Sequence, residues 1–89
     1  MFDKLTIHGD QASLLWGYRT AASLTAWRIT KEKQQWKLTA TVTKVDPFQA
    51  RQRPLLFTAQ HDKGRWCWEV QEIHIGDREL RATLGPPIQ

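Results

Sequence analysis

From Ser23 to Val45 the chain alternates apolar and polar residues with a period of two, and this constrains the fold more than any other feature. Trp27 and Ile29 alternate with Arg28 and Thr30; Trp36, Leu38, Ala40 and Val42 alternate with Lys37, Thr39, Thr41 and Thr43. Side chains in a strand point to opposite faces in turn, so this pattern predicts two half-buried strands, with the threonine row on the wet face of an antiparallel sheet. The polar run Lys31-Glu32-Lys33-Gln34-Gln35 between them predicts a hairpin tip.

The rest of the chain follows the same logic. Leu55 to Gln60 predicts a strand, His61-Asp62-Lys63-Gly64 a turn, and Arg65 to Ile75 a longer strand. Trp66, Trp68 and Val70 share one parity, whereas Ile73 and Ile75 have the other. One face cannot hold both sets, so a bulge is expected near Gln71-Glu72. Gly76-Asp77 predicts a two-residue hairpin. A last strand from about Arg78 to Leu84, with Leu80, Ala82 and Leu84 inward, is expected to stop at Gly85-Pro86-Pro87, because proline cannot donate to a ladder.

At the start, Phe2 to His8 predicts a strand with Leu5 and Ile7 inward. Asp10 to Gly17 predicts one or two helical turns, Asp10 capping and Gly17 just past the end; a strand through Leu14, Leu15 and Trp16 is the alternative. The sum is one all-β domain over residues 1–89, with about six strands and one or two short helical turns. It closes as a small barrel or packs as a compact two-layer antiparallel sandwich. The chain has 89 residues, enough for one modest core, and its five tryptophans can supply much of it. Trp27, Trp36, Trp66 and Trp68 are expected inside by parity; Trp16 and Tyr18 are expected outside.

The segment Asp46 to Phe57, "DPFQARQRPLLF", interrupts the strands. Asp46-Pro47 is a helix start: the carboxylate accepts from free backbone N–H groups, and proline suits the first helical position. Pro54 ends the turn and biases Arg53 toward extended geometry. Pro47 to Gln52 is therefore expected to form one helical turn or an α-like loop, with Phe48 anchored in the core and Arg51 and Arg53 directed outward.

Charge singles out the middle of the chain. The net charge is +4, but Arg19 to Arg65 carries ten Lys and Arg against Glu32, Asp46 and Asp62, while both ends are mildly acidic. A basic middle steers an anionic partner or lets one copy meet another. The candidate binding residues are Lys31, Lys33, Lys37, Lys44, Arg51 and Arg53 on the basic face, with Phe48, Trp16, Tyr18 and Arg19 as aromatic and cationic contacts. Partners expected from these are another protein, the chain itself, or a nucleic acid held through phosphates and base stacking.

Catalytic and metal signatures do not appear. His8, His61 and His74 are far apart, no Cys-x-x-Cys or His-x-x-x-His occurs, and no glycine-rich phosphate loop is present. Cys67 is the single cysteine, which excludes an internal disulfide. It points away from Trp66 and Trp68; Arg65 shares its parity and could lower its pKa, but a small packed or half-exposed cysteine is the expectation. We expect a non-enzyme without cofactor, metal, membrane span or small-molecule substrate. Met1-Phe2-Asp3-Lys4-Leu5-Thr6 has no apolar signal core. The expected place of synthesis is the cytoplasm, including assembly there into a particle.

The stretches "FQARQRPLLFTA", "GRWCWEVQEIHIGD" and "ATLGPP" resemble small proteins encoded in the genomes of tailed bacteriophages and prophages. The resemblance covers the second half of the chain better than the first. It implies a phage-type accessory protein, either a virion component or a factor that binds and blocks a host protein. It carries no catalytic residue onto any position.

Overall fold

The structure, a computed structural model, describes residues 5–61 and 64–88. Six strands and one short helix follow in order: β1 (Leu5–Trp16), β2 (Arg19–Glu32), β3 (Gln35–Val45), α1 (Pro47–Ala50), β4 (Leu55–His61), β5 (Gly64–Ile75) and β6 (Glu79–Ile88). They close into a barrel in the order β1-β2-β3-β6-β5-β4. Every pairing is antiparallel. Two three-stranded meanders, β1-β2-β3 and β4-β5-β6, are thus joined by α1 and seamed along β1·β4 and β3·β6. Of the two architectures the pattern allowed, the chain adopts the barrel. The expectations at Phe2, at the Leu5 side chain and at the Asp62-Lys63 turn lie outside the described residues.

The alternation of β3 is realised directly. Leu38, Ala40 and Val42 are buried while Lys37, Thr39, Thr41 and Thr43 are exposed. In β2 the parity changes mid-strand. Thr25 pairs with Thr41 and Arg28 with Thr39, so Ala26 and Trp27 together face the single Ala40. Ala26 takes a positive φ of 50° to make this bulge. Ala22 and Leu24 face the core before the bulge, Trp27 and Ile29 after it. The expected irregularity in β5 is also present: its register with β6 shifts between Trp68 and Val70 and again between Val70 and Glu72. Ile73 and Ile75 thereby pack against the core beside Ala82 and Leu80.

The core is an aromatic column inside an aliphatic wall. Trp27 meets Phe57 edge-on at 5.6 Å, and Phe57 meets Trp68 at 5.7 Å. Trp36 lies 6.3 Å from Trp68, half-buried at the mouth of the barrel opposite α1. Lys31 has the inward parity of Trp27 and Ile29; its ammonium lies 5.1 Å above the Trp36 ring and covers that mouth.

Several expectations are corrected. Asp10 to Gly17 is strand, not helix: β1 runs unbroken to Trp16, with Ala12 and Leu14 buried. Pairing with β2 along its length and with β4 at Ala12–Leu15 satisfies its backbone on both sides, which local helix signals cannot offset. Gly17, at φ 63°, serves the β1–β2 turn instead.

The last strand does not stop at Leu84. It continues to Ile88, with Pro87 opposite Trp68 and Ile88 opposite Cys67. Beyond Leu84 the described partners of β6 all come from β5, because β3 has ended. Proline is tolerated on such a one-sided edge, where no donation is required of it. The β2–β3 loop is shorter than expected, only Lys33-Gln34, with Lys33 at φ 58°. The β5–β6 turn closes one residue later than expected: Gly76 N donates to Glu79 O at 2.7 Å, leaving Asp77-Arg78 central.

Among the rings, Trp66 is 38% exposed rather than inside, at the start of β5 where the wall opens, and stacks on buried Trp68 at 5.6 Å. Trp16 is half-buried against the core rather than exposed. Phe48 is 65% exposed and anchors nothing; Gln49 and Ala50 are the α1 residues that face the barrel. A four-residue helix presents only one short face inward, and the α1 register gives that face to Gln49-Ala50.

Candidate functional site

The α1 connection is built by local chemistry. Asp46 Oδ1 accepts from Phe48 N at 3.0 Å and Gln49 N at 3.1 Å, and Pro47 opens the helix. Asp46 N donates to Ala21 O at 2.8 Å, tying the cap to β2. Gln52 Nε2 donates to Phe48 O at 3.1 Å. Arg53 Nη1 donates to Ala50 O at 3.2 Å and to Gln52 O at 2.8 Å, before a cis Arg53–Pro54 peptide. The guanidinium is therefore held by its own loop through one nitrogen. Its Nε and Nη2 make no hydrogen bond among the described residues, and the residue is exposed.

This connection sets an exposed aromatic and cationic rim at one end of the barrel. Tyr18 is 91% exposed in the β1–β2 turn, and the Arg19 guanidinium lies 5.9 Å above its ring. The Trp16 and Phe48 rings meet edge-on at 6.4 Å. Val45, also exposed, ends β3 beside them, and Lys44 pairs with Ser23 nearby. Arg51 and Arg53 complete the rim, exposed as expected and without an ion pair among the described residues.

The remaining sequence candidates do not join them. Lys31 and Lys33 lie at the opposite mouth of a molecule 41 Å long, next to Trp36 and the β2–β3 tip. At about 3.3 Å per residue along β3, Lys33 and Lys44 stand roughly 30 Å apart. Lys37 is on the outer face of the β3·β6·β5 wall, across from Thr83. The basic middle of the sequence is thus two basic ends and an outer face.

Residues that charge and motif reading passed over complete a groove below the rim. Ile73 and Ile75, with Val45, Pro47, Ala50, Arg51 and Arg53, line a depression of about 480 Å³ between the α1–β4 connection and the upper half of β5. It continues through Arg53 and Ile73 onto the outer wall, where Lys37, His74 and Arg81 lie with Glu72. The parity change at Gln71-Glu72 was the signal that Ile73 and Ile75 occupy a special place. Nothing in the sequence placed Arg81 beside them. A separate hollow, lined by Gln11, Ser13, Thr25, Thr58, Gln60 and Arg65, sits where β1 and β4 stop pairing at Ala12 and Ala59.

Cys67 lies half-buried on β5, where burial pushes its thiol pKa above the ordinary value. Among the described residues no three His, Cys, Asp or Glu side chains gather into a metal site. No helix is long and apolar enough to cross a membrane. The chain matches no family model, and neither curated proteins nor solved structures give a match to it.

Proposed function

We propose that the chain is a non-catalytic, phage-type accessory protein that acts by contact with another protein, as a virion component or an inhibitor of a host protein. The observation that carries this reading is the rim: Tyr18, with Arg19 above its ring, and Phe48, on the short helix that precedes Arg51 and Arg53, stand largely exposed. Aromatic residues and arginine are enriched where protein interfaces concentrate their binding energy. Covering a phenylalanine side chain contributes about 1.5–3 kcal/mol when it leaves water completely. The phage-type context is what the resemblance of the second half of the chain implies, and it is part of the proposal.

The test is light scattering after size exclusion, on the chain alone and with extracts of a candidate host or virion. A discrete oligomer or a stoichiometric complex is expected, and Tyr18→Ser with Phe48→Ser should dissolve it. A monomer that forms no complex under any of these conditions contradicts the reading.

A second reading, nucleic-acid binding through the same rim, is favoured by the Arg19–Tyr18 stack, since a ring beside cations also suits a base and its phosphates. Adding a mixed-sequence oligonucleotide to the same measurement separates the two. Phosphate-driven binding weakens steeply between low and moderate salt through counterion release. Affinity for the oligonucleotide that stays flat with salt eliminates that mechanism.

A further inference from the structure

The barrel is closed, but its wall is not paired to the same height everywhere. β4 pairs with β5 only as far as Leu55 opposite Val70. β5 continues to Ile75, and there its described partners all come from β6, through Glu72–Thr83, Ile73–Ala82, His74–Arg81 and Ile75–Leu80. Along Gln71–Ile75 the side of β5 turned toward the α1–β4 connection therefore carries strand backbone with no neighbouring strand among the described residues. An open edge of this kind is a template for another strand.

The surroundings of the edge are selective. Ile73 and Ile75 are half-buried and offer an apolar footing at alternate positions. Arg51 and Arg53 stand across the groove from them, and Arg81 and Lys37 extend the positive charge along the outer wall. Glu72 is the carboxylate among the groove's described lining residues, and none of these charges is ion-paired within the described residues. Arg53 is held by two carbonyls through Nη1, which leaves Nε and Nη2 as donors that a carboxylate can take.

We propose that the open edge of β5, Gln71–Ile75, receives an extended segment of a partner protein in which acidic and apolar residues alternate. Its backbone extends the sheet, its apolar side chains lie on Ile73 and Ile75, and its carboxylates meet Arg51 and Arg53. This rests on the protein-contact reading and gives the partner a chemistry. A second copy of the chain offering the same edge would bring two Arg51–Arg53 pairs together, which like-charge repulsion opposes. A nucleic acid has no strand backbone to pair with β5, and no Trp, Tyr or Phe is among the groove's described lining residues.

The probe is a fluorescein-labelled, end-blocked decapeptide alternating glutamate and valine. Fluorescence anisotropy measures binding, and amide hydrogen exchange locates it. Binding should protect those amides of Gln71–Ile75 that point away from β6. Arg51→Ala with Arg53→Ala should weaken it at least tenfold, whereas Lys33→Ala at the far end should leave it within twofold. A peptide of equal charge with proline in place of every valine should not bind, because it cannot pair along the edge.

Equal binding of the proline peptide, equal loss in Lys33→Ala, protection appearing elsewhere, or an oligonucleotide protecting the same amides each overturns the proposal. If the peptide fails while an association dependent on Tyr18 and Phe48 persists, the groove assignment falls and the protein-contact reading stands.

Discussion

Among the five glycines, Gly9 is the one where an added methyl group meets the closest neighbour. It lies opposite Trp27 across β1·β2, and a Cβ built there would come within 2.6 Å of the Trp27 ring at Cζ2. Trp27 is buried in the barrel wall and meets Phe57, so its ring cannot swing out without opening the core. Gly9→Ala should destabilise the fold by about 1–3 kcal/mol, the range for overpacking, read as a lower urea midpoint with unchanged m-value.

Cys67 offers a second residue-scale test. Burial raises its pKa above the ordinary 9.0, so the folded state holds the thiol proton more tightly than the unfolded state. The associated stability is fully present below pH 9 and is lost as pH rises through the folded value. At pH 8, iodoacetamide should modify native Cys67 more slowly than the urea-unfolded chain; equal rates would show that burial does not protect the thiolate.

Among the elements, the hairpins show where a side chain is tolerated against its conformational preference. Lys33 occupies the first position of the two-residue β2–β3 loop at φ 58°, a region glycine enters without steric cost. Lys33→Gly should stabilise the protein by roughly 0.5–1 kcal/mol, seen as a higher Tm, since relief of left-handed strain outweighs the added entropy loss. α1 depends on its cap in the opposite sense. Asp46→Ala removes the acceptor for Phe48 N and Gln49 N and should cost about 1 kcal/mol. Because α1 positions Arg51 and Arg53, that variant should also weaken binding of the acidic peptide more than its loss of stability alone explains, as anisotropy at a temperature where both proteins are folded would show.

At the scale of the whole molecule, the two meanders share one core. Trp27 from the first packs on Phe57 from the second, and Trp36 packs on Trp68. Both seams join residues remote in sequence, Ala12 with Ala59 and Trp36 with Leu84. Unfolding should therefore be a single transition, with tryptophan fluorescence and far-ultraviolet circular dichroism superimposing in urea. A fragment ending at Arg51 should show no cooperative transition. Non-coincident curves would mean that one meander is stable without the other.

What the chain's sequence determined alone was local and periodic. The start of β1 to His8, β2 from Ser23, and β3 to β6 were legible from short-range patterning, most clearly where Trp, Leu and Val alternate with Lys and Thr in β2 and β3. The Asp46-Pro47 helix start and the β5 irregularity were legible because capping and parity are short-range constraints. Tertiary structure decided whatever depended on neighbours. It turned residues 10–16 into strand by offering pairing on two sides, and it carried β6 through Pro86-Pro87 because β3 had ended beside it. It placed Phe48 outside by giving the barrel Gln49 and Ala50. It also divided one run of basic residues between two ends of the barrel and set Arg51 and Arg53 across from Ile73 and Ile75. Charge and apolarity are written along the chain, but which of them share a surface is settled only when the strands close.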